Sequence, residues 1–383
     1  MPPGRGVLDA HTHLGRDEDG QSLTPEALIE YLDQVDEAAQ ACVFPLHDPE
    51  RRPAYRIPND RVLRWARQAE GRLFPFCRLD PADEPVAEAR RCLALGARGI
   101  KLHPRAQSFG FGNAGAESIF EVAREFGVPI LIHAGRGMPA MDVLADLALR
   151  YPDVGLVLAH AAIADQGMFA TRLADHPKVV YDTSSFFGLD VIELLARVPA
   201  ERVVFGSDAP YGRPLGGLFQ TMRVAAYAGL DADDRALLAG GTMRALLEGR
   251  SLPAAKPLRV PQIRWMSGRL VRLSTYLAMS FAATVSSGPP PDPTRALPGI
   301  QLARGVCRDP EPGLVGPALE RIDSLLTAAE RLIIQSREGA FLGFGLLMAA
   351  SAIASTEPVE AIGSALADSS VLAATPYCGE IPR

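Results

Sequence analysis

Across residues 7–249 the chain alternates short apolar runs with helix-patterned segments, and this alternation limits the fold more than any other feature. The runs are VLDAHTH (7–13), ACVFPL (41–46), LFPFCRLD (73–80), GIKLHP (99–104), VPILIHAG (128–135), GLVLAHA (155–161), VVYDTSS (179–185) and VVFGSDAP (203–210). Their β-branched and aliphatic content suits strands buried on both faces. Helix signals stand between them. Thr24-Pro25 is an N-cap followed by proline at the first helical position, and Gly96 and Gly127 fall where left-handed C-terminal caps belong. Eight strand–helix units in about 250 residues match the count and size of an α/β (β/α)8 TIM barrel. A doubly wound open sheet is the rival layout, but it gives no reason to stop at eight. The first run also lacks the Gly-x-Gly-x-x-Gly turn of that layout. The expected fold is therefore a barrel over residues 1–250.

Beyond it the pattern changes. SLPAAKPLRVP reads as a linker, because its prolines discourage regular structure. A helix is expected near residues 264–287, then a proline-rich segment, GPPPDPTRALPG. From Val315 apolar residues recur at helical spacing, and an Ala-rich helix is expected over 342–354. Residues 255–383 thus form an α-helical C-terminal region of unknown role, and they contain no His. Residues 273–291 and 339–356 lack charge over lengths that approach a membrane span. Their Gly, Ala, Ser and Pro content favours buried helices of a soluble bundle instead.

Composition excludes some partners. A formal net charge of −6 with no Lys/Arg cluster argues against nucleic acid. Five cysteines (42, 77, 92, 307, 378) without a Cys-x-x-Cys pair read as reduced thiols in a cytoplasmic protein. The beginning, MPPGRGVLDAHTH, has no apolar run of secretory length, so no signal peptide is expected. A homo-oligomer is compatible with all of this.

Five of the seven histidines, His11, His13, His103, His133 and His160, stand at or near the C-terminal ends of the expected strands, and Asp208 ends the last one. In a barrel those ends converge on one mouth, where reactive groups gather. His11 and His13 are two apart, so on an extended strand both imidazoles share a face and can reach one ion. His133 and Asp208 would add a third nitrogen and an oxygen, a set suited to Zn2+ or a similar divalent metal ion. Water activated there could be served by His160 as proton acceptor or donor. Asp9 shares the parity of the histidine pair and would hydrogen-bond behind it. Arg78, Arg105 and Arg136 follow strand ends and could clamp an acidic substrate. His47 and His176, in Pro-flanked loops, receive no role, and each cysteine reads as a small core residue.

DAHTH, GIKLHP, ILIHAG, LAHA and FGSDAP, in that order, resemble the amidohydrolase superfamily. They are most similar to its amidohydrolase-related branch of metal-dependent hydrolases and non-oxidative decarboxylases, which includes aminocarboxymuconate-semialdehyde decarboxylase. LAGGTMRALL resembles the closing helix of that branch, with Thr242 where an Asn commonly stands. The resemblance covers roughly residues 6–249. It implies metal ligands His11, His13, His133 and Asp208, with His160 as catalytic proton-transfer residue and Asp208 orienting or deprotonating the water. It also raises Lys101, which in binuclear members would be carboxylated and bridge two metals. As an unmodified cation Lys101 would repel Zn2+ and suit a substrate carboxylate. One metal per chain is the reading adopted, with two if Lys101 is carboxylated. His103 shares the face of Lys101 and is expected behind the site or against substrate.

The expected function is a metal-dependent hydrolase whose activated water attacks an amide, ester or lactone carbonyl of a small molecule, carboxylated or not. The first alternative uses the same site to decarboxylate an unsaturated or aromatic acid. A further alternative is a non-catalytic barrel scaffold whose helical tail binds a partner.

Overall fold

The computed structural model describes residues 6–135, 138, 140–185, 187–258, 268–285, 292–308 and 316–356. Among the described residues nine strands form one sheet: β1 (Leu8–Arg16), β2 (Ser22–Leu23), β3 (Gln40–Pro45), β4 (Leu73–Arg78), β5 (Gly99–Leu102), β6 (Ile130–Ile132), β7 (Leu156–Leu158), β8 (Val179–Asp182) and β9 (Val203–Val204). Their order is β2-β1-β3-β4-β5-β6-β7-β8-β9. Only the short β2 pairs antiparallel. The segment after β9 returns to β1 through a parallel bridge between Thr12 and Ala209. Backbone bonds from Ala10 N to Phe205 O (2.8 Å), Asp208 N to His11 O (2.8 Å) and His13 N to Ala209 O (2.7 Å) complete that seam. Eight parallel strands therefore close on themselves, as the run pattern predicts. A two-residue strand such as β2 is too short to leave a periodic signal.

Strand periodicity sorts the side chains. Ile100, Leu102, Ile130, Ile132, Leu156 and Leu158 pack outward with the helices. Leu8, Ala10, Cys42, Phe44, Phe76, Leu131, Val157 and Val180 form the interior cluster. Gly99 must be glycine because an added Cβ would lie 2.4 Å from the Phe76 ring. A register shift in β1 between Asp9 and Thr12 lets His11 and His13 approach the Phe44 ring, with centroids at 5.3 and 4.5 Å. The interior is thus apolar below and carries imidazoles above.

The expected caps form. Thr24 Oγ1 accepts from Ala27 N at 3.3 Å at the start of helix Pro25–Asp33. Gly127, at φ +64°, ends helix Ala114–Phe126, a conformation glycine adopts without a Cβ clash.

Among the described residues four helices follow the barrel: Gly268–Val285, Leu297–Arg308, Gly316–Gln335 and Arg337–Thr356. The second begins in the last three residues of the proline-rich segment 288–299 and runs past it. Its prolines sit in a preceding 3-10 turn (Pro293–Ala296) and in its own first turn, where a missing N–H costs little. The four share an apolar core that includes Leu273, Leu277, Ile300, Ile322, Leu326 and Leu347. Helix Arg337–Thr356 lies against barrel helix Pro214–Tyr227, where a Cβ on Gly216 would come 3.2 Å from Gly345 Cα. Arg223 Nε donates to Thr356 Oγ1 at 2.6 Å beside that crossing. Among the described residues no helix is long and apolar enough to cross a membrane.

Candidate metal centre

His11 and His13 project from the middle of β1, on either side of Thr12, and Asp208 from the turn after β9. All three are buried, and one ligand atom from each lies within 4.8 Å of the others. Nε2 of His11 and Nε2 of His13 stand 3.1 and 3.2 Å from the same oxygen, Asp208 Oδ1. Asp208 holds φ +58°. A non-glycine residue in that region is strained, a feature that accompanies functional sites.

Asp182, at the end of β8, accepts from His11 Nδ1 at 2.8 Å. This bond fixes the ring and directs Nε2 at the Asp208 oxygen, the support that metal-ligating histidines usually receive. The sequence reading missed Asp182. The signal was the even spacing that places it on the inner face of VVYDTSS, with Val180.

Two lone pairs facing one carboxylate oxygen repel unless a proton or cation lies between them, so the arrangement fits a divalent ion. Electrostatics agree. Burial opposes ionisation of Asp208, but the charge and hydrogen bond of His11 overcome it and hold the carboxyl well below its usual range. Asp182 is lowered to about 2, burial again being outweighed by His11. Burial lowers His13 to about 3, and His13 Nδ1 has no hydrogen-bond partner among the described residues. His11 is pulled down by burial and Lys101, yet raised overall by Asp208 and Asp182. A proton on its Nε2 would occupy the place a metal takes. Asp9 accepts from the backbone N–H groups of His11 and Ser207, each at 3.0 Å, and burial raises its carboxyl to about 7. It braces β1 against the turn that carries Asp208.

The other imidazoles form a second chain. His160 Nδ1 lies 2.9 Å from Ser184 O, and a carbonyl only accepts, so Nδ1 carries the proton. His160 Nε2 then accepts from His133 Nδ1 at 2.8 Å, leaving His133 Nε2 unprotonated. His133 is outside the three-residue cluster; the His11 and His160 ring centroids, 5.1 Å apart, connect the two groups. Gly135 gives His133 room, since a Cβ there would fall 2.8 Å from its Nε2. His160 holds φ +57°. His103 stacks on His133 at 3.8 Å. Burial lowers His160, and burial with neighbouring charge depresses His103 and His133 further.

Lys101 is fully buried, with Nζ 3.1 Å from His11 Nε2 and 4.5 Å from the Phe44 ring centroid. Burial lowers its ammonium to about 7. It stands beneath the metal cluster, outside the lining of the cleft above. That cleft, about 620 Å3, is lined by His13, His103, His133, His160 and Asp208 and also by Arg78 and Arg105. Arg136 lies outside the described residues. His47, given no role from sequence, faces the cleft, with Nδ1 2.7 Å from the Tyr55 hydroxyl. His176 does not line it, and its Nε2 lies 3.1 Å from Ala148 O in a packing role. Among the described cysteines Cys42, Cys77 and Cys92 are buried, and none joins the cluster. Cys378 lies outside the described residues.

The family model described as amidohydrolase matches residues 8–248. The chain belongs to the amidohydrolase family. Solved structures support the same fold. IDCase of Metarhizium anisopliae, in its apo form, matches with a TM-score of 0.52 at 17% identity, over 65% of this chain and 98% of that one. An amidohydrolase of Burkholderia multivorans with bound zinc matches with a TM-score of 0.51 at 18% identity, over 65% and 100%. No curated protein matches the chain. In this amidohydrolase the buried His11, His13 and Asp208 constitute a site for a metal ion, and the C-terminal helices fall outside the residues matched by the family model.

Proposed function

We propose that the chain is a zinc-dependent hydrolase of small molecules, adding water to the carbonyl carbon of an amide, ester or lactone. The observation that carries this reading is the convergence of His11, His13 and Asp208 at the floor of a cleft open to substrate. His133 is assigned as the fourth ligand, through the nitrogen that its bond to His160 leaves unprotonated. The ion supplies Lewis acidity toward the carbonyl oxygen and lowers the pKa of water.

The remaining chemistry belongs to the chain. Asp208, ionised across the physiological range, orients the attacking water and accepts its proton. His160, kept neutral by burial, takes that proton from Asp208 at Nε2, releasing the bond from His133 Nδ1, and passes it to the leaving atom. Asp182 keeps His11 in the ligating tautomer. Arg78 and Arg105 hold a carboxylate on the substrate. Lys101 stays unmodified, with one metal per chain. Residues 1–250 are assigned as the catalytic barrel and 255–383 as a helical region joined to it.

The test is turnover by zinc-loaded protein of a panel of aryl esters, lactones and anilides. Hydrolysis abolished by a chelator and restored by zinc is expected; no hydrolysis of any member would contradict the reading. The two arginines at the cleft also favour a second reading, non-oxidative decarboxylation of an aromatic acid. Carbon dioxide release from aromatic carboxylates without ester or lactone turnover would select it.

A further inference from the structure

The cleft has two chemically different sides. Arg78 and Arg105, from β4 and the turn after β5, line one side; Ile163, Phe187, Phe281 and Ala282, beside Ser184 and Ser185 after β8, line the other. Phe281 and Ala282 belong to helix Gly268–Val285, beyond residues 8–248 that the family model matches. The C-terminal region therefore reaches the substrate cleft of the barrel.

Its position there is fixed by packing. The Phe281 ring is 2% exposed and meets Phe187 edge-on, with centroids 5.3 Å apart and planes at 89°. Phe344, from helix Arg337–Thr356, lies 5.7 Å from Phe281 on another side. That helix is anchored to the barrel at the Gly216–Gly345 crossing and by Arg223 and Thr356. A Cβ on Gly188, one residue after Phe187, would come 3.3 Å from Ala352 Cα, so this approach is close as well. Phe187 follows Ser184, whose carbonyl orients His160. The aromatic contact thus joins the tail to the loop that positions the proton-transfer residue.

We propose that helix Gly268–Val285 supplies the apolar wall of the substrate site. Phe281 and Phe187 are then specificity-determining residues that select a substrate bearing an aromatic or extended aliphatic arm. The inference rests on the metal-dependent reading of the cleft and deepens it. The reacting carbonyl sits at the metal centre, an anionic group faces Arg78 and Arg105, and the apolar arm lies against the two rings. Removing such an arm from water favours binding in proportion to the area covered, whereas a substrate without it gains nothing from the wall.

The test is calorimetric binding to the zinc-loaded full chain of two probes that chelate zinc identically, acetohydroxamate and 3-phenylpropionohydroxamate. Wild type is expected to bind the phenyl probe at least about tenfold more tightly. Phe281→Ala is expected to reduce that preference to about twofold, with acetohydroxamate affinity and zinc content unchanged. Phe281→Leu, which retains bulk should the alanine variant unfold, is expected to fall between them. Val271→Ala, at a half-exposed position on the same helix, is expected to match wild type. An undiminished preference in both Phe281 variants would overturn the proposal, as would equal weakening of both probes. Failure of the underlying metal reading would show separately: wild type would take up no zinc or bind neither probe, and the wall would lose its substrate.

Discussion

The barrel mouth and the C-terminal helices handle buried polarity in opposite ways. At the mouth Asp9, His11, Lys101 and Asp182 are wholly buried ionisable groups, each costly to desolvate. They are arranged so that several face the same small space. In the tail the core is apolar, and three of its hydroxyls are satisfied within their own helices: Ser280, Thr284 and Ser355 each donate to the carbonyl four residues back. Charge in the tail lies at its rim, where Arg304 meets Asp323 and Glu330. A region built for stability alone has no reason to concentrate buried ionisable groups; a region that binds a cation does. The contrast locates function in the barrel and gives the tail the task of holding a wall.

The largest expected effect breaks the contrast at the mouth. His13→Ala or Asp208→Asn should remove bound zinc and lower kcat/KM on the order of 10^3-fold, the scale of several kcal/mol of charge stabilisation. Elemental analysis and steady-state kinetics read both. Asp182→Asn should retain the fold and weaken zinc binding about 10- to 100-fold by freeing the His11 ring, measured by competition with a chromogenic chelator.

Gly216→Val probes the other region. The added bulk at the helix crossing should cost about 1–3 kcal/mol of stability. It should lower the unfolding midpoint by several degrees and leave zinc stoichiometry at the wild-type value. Loss of zinc in this variant would merge the two regions the comparison separates.

The smallest effect is one of pH. His13 and His47 are lowered to about 3 and about 4, both mainly by burial. Both stay neutral in the fold and protonate near pH 6.5 once unfolded. Their contribution is fully present above pH 6.5 and is lost as pH falls toward 4 and then 3. In excess chelator the unfolding midpoint should fall by roughly a few degrees between pH 7 and 5. Residues 255–383, lacking histidine, should contribute nothing to that slope.

The fold was legible because strands buried on both faces read as uninterrupted apolar runs, and His11, His13 and Asp208 were legible because barrel strand ends converge. Asp182 was missed: its even spacing from Val180 marks the inner face, but not the imidazole it meets 171 residues away. His47 was set aside for its loop, yet the loop is what brings it to the cleft. Helix Leu297–Arg308 was hidden by prolines that occupy its first turn and the turn before it. Phe281 was given no role, since nothing local encodes which surface the helix expected near residues 264–287 will cover.

The most direct measurement is X-ray absorption at the zinc edge, with metal stoichiometry, on full-length protein. One zinc per chain is expected, with only nitrogen and oxygen neighbours at about 2.0–2.2 Å. Substoichiometric zinc, a sulfur neighbour near 2.3 Å, or a second metal ion per chain would contradict it.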